Sequence, residues 1–350
     1  MIDESQAHLD AARRGDAAAF EALVAPYRRE LLAHCYRMLG SVHDAEDALQ
    51  ESLLAAWRGL AGFEGRGSLR AWLYRICTNA SLRLSSQRLR RILSPDLGPP
   101  GSDPSHLGEP VSEQVWLEPW LEEESVVAGP TDADPGDPAD RYVRRETLEL
   151  AFVAALQFLP GRQRAVLLLR EVLGFSAAEV AEILETTPAS VNSALQRARK
   201  AVNERVPDTT QVEELRALGE VGRRELVDSF VAAWERADID ALTALLAEDA
   251  RFSMPPLPAW FSGRRDVARF FAEGVFTMEW RLVPILVNGQ IGFACYVRDP
   301  GGDGFRLGAV NALSLRGGRI AGITGWLDPV VDRQLGLAAR VPPARGSSRD

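Results

Sequence analysis

Polar side chains near the middle of the chain are spaced so that they could contact nucleic acid. The pattern in residues 173–202 predicts a helix, a tight turn and a second helix with a basic end. Ser176 and Glu179 form a capping box for the first helix, and Pro188 suits the first position of the second. A polar face on the second helix would meet base edges and phosphates in a DNA major groove. This face and its flanks comprise Ser190, Asn192, Ser193, Gln196, Arg197, Arg199 and Lys200.

The opposite face of that second helix is apolar at helical spacing, so the helix is expected to pack on a core. The residues on this apolar face are Val191, Leu195, Ala198 and Val202. An ordinary helical hairpin that never touches DNA would have the same apolar face. This segment alone therefore leaves both interpretations open.

A second candidate nucleic-acid surface lies nearer the N-terminus. Residues 63–67 form a loop, after which Ser68 caps a helix expected to run to about Arg91. An arginine, an aromatic ring and an amide on one exposed face suit backbone contact and capture of an unstacked base. Trp72 is assigned to the core side of this helix rather than to a stacking surface. The loop contributes Arg66, and the outward face comprises Arg70, Tyr74, Arg75, Thr78, Asn79 and Arg83.

The preceding amphipathic helix, residues 44–57, carries an acidic face. Asp44, Asp47 and Glu51 are spaced i, i+3, i+7 on the side expected to face solvent, with Gln50 beside them. Such a face either binds a partner or is merely solvated. The buried stripe is expected to consist of Ala45, Ala48, Leu49, Ser52, Leu53, Ala56 and Trp57.

Charge is sorted along the chain and indicates its domain boundaries. The 350 residues carry a net charge of −9, but residues 1–93 carry +2 and residues 141–205 carry +3. Between them, residues 94–140 carry −12 and no lysine or arginine, and residues 206–350 carry −2. The two helical domains are therefore basic in an acidic protein, and local charge matters more than the total for nucleic-acid binding.

Residues 94–140 are predicted to be a linker, because a segment rich in proline, glycine and acid cannot bury enough apolar surface to fold alone. Its apolar pairs, Trp116-Leu117 and Trp120-Leu121, are unusual for such a segment and are expected to dock on another surface. A shorter joint at Val206-Pro207 precedes the last third of the chain.

That last third predicts helices followed by an antiparallel sheet. Residues 220–237 form an amphipathic helix, a helical turn and a strand over 249–256 follow, and residues 263–273 form another helix. Turns at Asn288-Gly289 and Gly317-Gly318 suit hairpins. The alternating segments predicted to be strands are 280–287, 292–298, 306–315 and 319–327.

The order and spacing of these segments resemble the extracytoplasmic-function (ECF) sigma factors of bacteria. The motifs are DAEDALQESLLAAW, then FEGRGSLRAWLYRICTNASLR, then, beyond the linker, LPGRQRAVLLLREVLGFSAAEVAEILETTPASVNSALQRARKAV. The C-terminal third resembles the SnoaL-like cone that some of these factors carry, and the chain looks most like the mycobacterial sigma-G type group. The resemblance implies two all-α sigma domains, the second a helix-turn-helix, followed by an α+β cone.

The resemblance also implies partners and residue roles for a transcription initiation factor. Its partners would be promoter DNA and core RNA polymerase, through the β′ clamp helices and the β subunit. The polymerase-binding residues would be Asp44, Asp47, Gln50 and Glu51. Those for the −10 element would be Arg66, Tyr74, Arg75, Asn79 and Arg83. The −35 element would be read by Ser190, Asn192, Ser193, Gln196, Arg197, Arg199 and Lys200. Family members often carry a basic residue where this chain has Asn192 and Ala194, so the promoter sequence does not follow. The linker of 47 residues is long for the family.

The cone is expected to act on the sigma domains in cis, and a small-molecule enzyme of isomerase or hydrolase type is the alternative. All four histidines precede this domain, and Asp249 and Asp328 lie at element ends, so no catalytic base is predicted. Asp299 and Asp303 suit a hairpin turn better than a metal loop, and no cofactor or metal is expected. Residues that either line a ligand pocket or fill the core are Trp234, Phe252, Met254, Trp260, Trp280 and Trp326.

The sequence also predicts a cytoplasmic location. Cys35, Cys77 and Cys295 lie far apart in no paired or metal-like spacing, as expected in a reducing compartment. The first residues are acidic and polar, unlike a signal peptide, and no apolar run approaches the ~20 residues that would span a bilayer.

Overall fold

The computed structural model describes residues 2–63, 68–111, 116–122, 148–301, 304–327 and 337–342. The chain divides into two compact units, each assembled from separate stretches of sequence. The first unit joins residues 1–91 to residues 151–206, so the two helical domains pack together. The second joins residues 92–150 to residues 207–350, so the linker belongs with the C-terminal third.

The N-terminal part of the first unit is a bundle of helices whose starts are set by capping side chains. Asp16, Ser41 and Ser68 each accept a hydrogen bond from a backbone N–H in the first turn of the helix that follows. A 3-10 turn at Ala25–Tyr27 separates two of these helices, because Pro26 lacks an N–H and obstructs the preceding turn. The helices are α1 (Ile2–Arg13), α2 (Ala17–Val24), α3 (Arg28–Leu39), α4 (Val42–Gly59) and α5 (Leu69–Gln87).

The core of this bundle brings together two cysteines that are distant in sequence. Cys35 on α3 and Cys77 on α5 are both buried and free, and their thiols hydrogen-bond to each other. That hydrogen bond, together with burial, raises the pKa of Cys35, so this thiol stays protonated. The three cysteines are far apart along the chain, as expected, but Cys35 and Cys77 lie close together in space because α3 and α5 pack side by side.

The second helical domain is the predicted helix-turn-helix. Ser176 and Glu179 form the expected capping box, with N–H to oxygen distances of 3.2 and 2.7 Å, and Pro188 opens the last helix. The predicted apolar face of that helix is buried. The helices are α6 (Leu150–Gln157), α7 (Gly161–Leu167), α8 (Ala177–Ile183) and α9 (Pro188–Asn203), with a π-helical turn at Leu168–Val172.

The C-terminal third is a curved sheet that holds helices on its concave side. We call α10 (Gln211–Glu235), α11 (Ile239–Leu245), α12 (Arg264–Glu273) and the strands β2 to β8 the cone. The strand order in the described sheet is β1-β4-β5-β6-β7-β2-β3, with β8 paired to β6. The strands are β1 (Leu121–Glu122), β2 (Leu246–Ser253), β3 (Trp260–Ser262), β4 (Trp280–Val287), β5 (Gln290–Arg298), β6 (Phe305–Arg316), β7 (Arg319–Trp326) and β8 (Arg340–Val341).

Aromatic rings fill the space between the helices and the sheet. Phe230 on α10 stacks on Phe293 of β5 at 4.8 Å between ring centroids, and Phe261 stacks on Phe270 of α12 at 4.6 Å. The two-residue turn at Asn288-Gly289 has positive φ at both positions, as the sequence predicted for a tight hairpin. Strand β5 is buried on both faces from Gln290 to Val297, so something also covers the outer face of the sheet.

The linker supplies part of that cover. Strand β1, which lies in the linker, pairs with β4, and Leu117 is fully buried. The Trp326 indole N–H donates to the Leu117 carbonyl at 2.7 Å. Trp326 lies three residues after the core residue Ile323 along β7. Side chains an odd number of residues apart on a strand point to opposite faces of the sheet, so Trp326 lies on the outer face. Of the apolar pairs predicted to dock, Leu117, Trp120 and Leu121 contact the cone, whereas the Trp116 indole donates to the Val111 carbonyl within the linker.

Further contacts hold both ends of the linker. At its start, the Ser94 hydroxyl donates to the Leu257 carbonyl at 2.8 Å, and the Trp260 indole donates to the Gly98 carbonyl at 2.8 Å. Asn288 accepts from the Trp120 N–H at 3.0 Å and donates to the Leu148 carbonyl at 2.8 Å. One turn of the cone thus bonds residues on both sides of the undescribed stretch 123–147.

Within the part of the chain that the structure describes, no helix is long and apolar enough to cross a membrane.

A buried histidine should make the first unit sensitive to acid. Burial, with Arg37 and Arg70 nearby, lowers the pKa of His34 to about 3, and its Nε2 lies 2.9 Å from the Thr78 hydroxyl. Unfolding restores a pKa of about 6.5, so the unfolded state binds the proton first, and stability falls as the pH drops below about 6.5. At pH 5 the loss is about 2 kcal/mol.

We expect His34→Gln to reduce the fall in melting temperature between pH 7.5 and pH 5.0. The control Thr78→Val removes the hydrogen-bond partner but keeps the buried imidazole, so it should retain the acid sensitivity. Equal pH responses of wild type and His34→Gln would contradict the assignment.

Candidate nucleic-acid interface

The predicted reading face of α9 is exposed along its whole length. All seven residues predicted to contact the −35 element lie on the solvent side of the helix, opposite its buried stripe. Arg199 forms an ion pair with Glu171 at 2.6 Å, so its charge is partly offset. Asn192 and Gln196 lie one helical turn apart, which is the separation needed for two side chains to reach neighbouring bases.

The acidic face of α4 is only partly as predicted. Asp47, Gln50 and Glu51 are exposed, but the side chain of Asp44 is only 4% exposed. Asp44 forms ion pairs with Arg91 and, at 3.6 Å, with Arg88. The expected outward position of Asp44 is therefore wrong, because residues 88–91 pass over the first turn of α4 after α5 ends.

Leu54 extends the exposed face of α4 and was missed in the sequence analysis. It lies three residues after Glu51 and four after Gln50, and it is 47% exposed. The spacing of Leu54 in the sequence indicates its position, since residues three and four apart share a helix face. An apolar side chain beside two acids is a feature that a partner helix can bury.

The aromatic residue predicted to contact the −10 element is buried. Tyr74 makes edge-to-face contacts with His34 at 5.1 Å and with Phe175 at 5.5 Å between ring centroids. Arg70 lies over the rings of both Tyr74 and Phe175, and it donates to the Leu173 carbonyl at 3.4 Å. The outward placement of Tyr74 and Thr78 is thus wrong. The second helical domain covers the Tyr74 ring, and Thr78 pairs with His34 in the core.

The remaining residues predicted to contact the −10 element differ in the side chains with which they pair. Asn79 is exposed, while Arg75 pairs with Glu185 of the second helical domain at 2.6 Å. Arg83 pairs with Glu51, which belongs to the predicted polymerase face. Arg66 lies outside the described residues. Two of the arginines predicted to contact the −10 element are therefore held in ion pairs.

The six candidate pocket residues of the cone do not form one site. Trp234, Phe252 and Met254 belong to the core cluster, and Trp280 packs against it. Trp260 and Trp326 instead donate hydrogen bonds to the linker, so their assignment to an interior pocket is wrong.

The acids considered for catalysis or for a metal loop form ion pairs where the structure describes them. Asp249 pairs with Arg316, and that hydrogen bond lowers the pKa of Asp249. Asp299 pairs with Arg340 at 3.0 Å. Asp303 and Asp328 lie outside the described residues. An acid held ionised at the surface is poorly suited to act as a general base in an apolar pocket.

Comparison with protein families defines the class. Three family models match in order along the chain: sigma-70 region 2 over residues 23–91, sigma-70 region 4 over residues 149–202, and a SnoaL-like domain over residues 227–323. The fold is thus that of a sigma factor with two helical domains and a C-terminal cone, as the sequence predicted.

Comparison with individual relatives shows which group of sigma factors the chain belongs to. The chain is 42% identical over 330 residues to the ECF RNA polymerase sigma factor SigG of Mycobacterium tuberculosis, covering 93% of this chain and 85% of that relative. It is 29% identical to SigJ of the same organism, covering 89% and 91%. The crystal structure of SigJ matches with a TM-score of 0.56 and 25% identity, covering 92% of this chain and 100% of that one. The chain belongs to the ECF RNA polymerase sigma factors.

Proposed function

We propose that this sigma factor binds core polymerase through α4 and the −35 element through α9, and that its cone restrains it by holding the linker. The observation that carries the proposal is the packing of region 4 on Tyr74. It leaves the predicted polymerase and −35 faces exposed while it covers Tyr74 of the predicted −10 face.

The polymerase contact is assigned to Asp47, Gln50 and Glu51, with Leu54 as an apolar addition. Asp44 supports this face from within, because its ion pair with Arg91 fixes the first turn of α4. Sigma factors work on RNA polymerase, so the site of action proposed for this chain is the cytoplasm.

Promoter binding requires the two regions to separate. The −10 and −35 elements lie about 25 base pairs apart, or roughly 85 Å at ~3.4 Å per pair. In the packed arrangement the rings of Tyr74 and Phe175 are 5.5 Å apart, and Arg75 holds Glu185. The contacts between regions 2 and 4 must therefore break before Tyr74, Arg75 and Asn79 can meet the −10 element.

The linker controls how far the regions can separate. A free linker of 47 residues could span ~150 Å, which exceeds the promoter distance. Docking on the cone removes most of that reach, since Ser94 and Trp120 are both hydrogen-bonded to it. We therefore assign the cone a regulatory role.

A catalytic role for the cone has less support. Among the described residues of the second unit, the buried carboxylates are Glu149 and Glu214, and both accept backbone N–H groups. The Trp234 indole N–H is buried without an acceptor in the described part of the chain. That unpaired donor favours binding of a small polar ligand or a water over acid–base chemistry.

Charge reversal on α4 tests the polymerase contact. Asp47→Lys with Glu51→Lys should reduce co-purification with core polymerase at least tenfold and leave the melting temperature within about 2 °C, because both side chains are exposed. Glu220→Lys on α10 is the control for charge. Unchanged holoenzyme formation would mean that the acidic face is only solvated.

Substitutions on α9 test promoter reading. Asn192→Ala and Gln196→Ala should each alter base preference in the −35 element, at about 1–3 kcal/mol per lost base contact. Arg199→Ala should weaken binding evenly across sequences, and Arg162→Ala, exposed on α7, is the control. Identical preference profiles for all variants in a promoter screen would place the reading face elsewhere.

Release of the linker tests the role of the cone. Asn288→Gly keeps the positive φ of the turn but removes the side-chain bonds to Trp120 in the linker and to Leu148 beyond it, and Trp326→Phe removes the bond to Leu117. The double variant should lengthen the distance between fluorophores on regions 2 and 4, and it should raise polymerase-dependent transcription several-fold.

Trp280→Phe is the matched control, since it loses a hydrogen bond to the Val275 carbonyl within the cone. If the double variant and this control give the same distances and transcription, the linker does not restrain the factor.

A further inference from the structure

A cleft in the first unit concentrates positive charge where regions 2 and 4 meet. Its volume is about 240 Å³, and its walls come from the end of α5, the following segment and the start of region 4. Since one water occupies ~30 Å³, the cleft is large enough for a phosphate or a diphosphate. We call it the arginine cleft; its guanidinium groups belong to Arg88, Arg90, Arg91 and Arg164.

The acids lining the cleft do not balance these arginines. Asp44 is the one carboxylate among its lining residues, and it is shared by Arg88 and Arg91. Arg90 instead lies over the ring of Phe158 at 4.1 Å, and Arg205 lies over the same ring at 4.5 Å. A cation–π contact stabilises a guanidinium but leaves its charge in place. Counted over the lining residues alone, the cleft has four arginines and one carboxylate.

Burial of Arg164 raises the energetic cost of having more arginines than carboxylates in the lining. Arg164 is 5% exposed, and its terminal nitrogens donate to neutral oxygens of Met38, Gln157 and Leu159. Burial lowers the pKa of Arg164 to about 10, with no carboxylate contributing. Its Nε is buried without an acceptor in the described residues. A buried cation surrounded only by neutral groups gains most from a nearby anion.

We infer that the arginine cleft binds a small anion of the phosphate class, either inorganic phosphate or the phosphates of a nucleotide. Arg88 and Arg90 make the direct contacts, because both are exposed at the mouth of the cleft. Arg164, buried beneath them, contributes the electric field of its positive charge. Guanidinium groups suit phosphate because their planar donors match its oxygens.

Binding at this position has a consequence for the whole factor. The cleft exists only while regions 2 and 4 are packed together, since each contributes a wall. An anion that binds only this arrangement stabilises it by mass action. The phosphate-class ligand would thus hold Tyr74 covered, independently of the linker.

The experiment measures binding of inorganic phosphate and of pyrophosphate to the full chain by calorimetry and thermal unfolding, with sodium chloride at equal ionic strength as reference. We expect saturable binding and a rise in melting temperature beyond that in chloride. Arg88→Gln with Arg90→Gln should weaken binding at least tenfold. The control Arg29→Gln with Arg162→Gln removes the same charge from exposed positions elsewhere and should change it less than twofold.

A second variant keeps the test decisive if the arginine variant unfolds. Ser85 lines the cleft, so Ser85→Asp places a carboxylate where the anion would sit. It should raise the melting temperature without added phosphate and abolish phosphate binding. A role in folding alone would not give both effects.

Two results would overturn the proposal. One is a response to phosphate and pyrophosphate no larger than that to chloride. The other is loss of promoter binding by the holoenzyme in the arginine variant, while the wild-type chain binds neither anion. That second result would assign the arginines to the DNA backbone instead.

Discussion

The contact of Tyr74 with Phe175 is the constraint on which the arrangement of this sigma factor depends. It joins α5 of region 2 to the loop before the helix-turn-helix, and Arg70 lies over both rings. An aromatic ring able to stack on an unpaired base is also able to pack against another ring. If Tyr74 contacts the −10 element as proposed, that contact and the contact with Phe175 exclude each other.

Ion pairs within the protein likewise occupy basic side chains that could contact DNA. Arg75 pairs with Glu185, Arg83 with Glu51, and Arg91 with Asp44, so acids of the protein occupy cations that could otherwise meet phosphates. Exposed pairs of this kind contribute little to stability, about 0–1 kcal/mol each, and are readily exchanged for DNA. The buried pair of Asp44 with Arg91 differs, since breaking it leaves a charge inside the fold. Surface pairs are thus suited to switching and the buried pair to maintaining α4.

The cone holds the linker and the entry to region 4 through hydrogen bonds. Asn288 bonds the linker at Trp120 and the entry to region 4 at Leu148, which lie far apart in sequence but meet at one turn. A backbone turn with positive φ at two positions is rigid, so it is a firm anchor for the chain on either side. Among the buried polar side chains of the cone, Asn288 and Gln290 bond residues outside it, whereas Gln211 bonds Leu315 within it.

The sequence by itself determined the local structure: the capping box at Ser176, the start of α9 at Pro188, the buried stripe of that helix and the hairpin turn at Asn288-Gly289. These features depend on residues within about four positions of one another, which helical periodicity and turn chemistry express directly. Resemblance to a family then identified the domains. Only the tertiary structure decided that Asp44 and Tyr74 are buried, that Cys35 meets Cys77, and that Trp260 and Trp326 face the linker. Each of those outcomes depends on a contact between distant segments. A pattern of solvent-facing positions read from one helix cannot reveal which of them another part of the chain will cover.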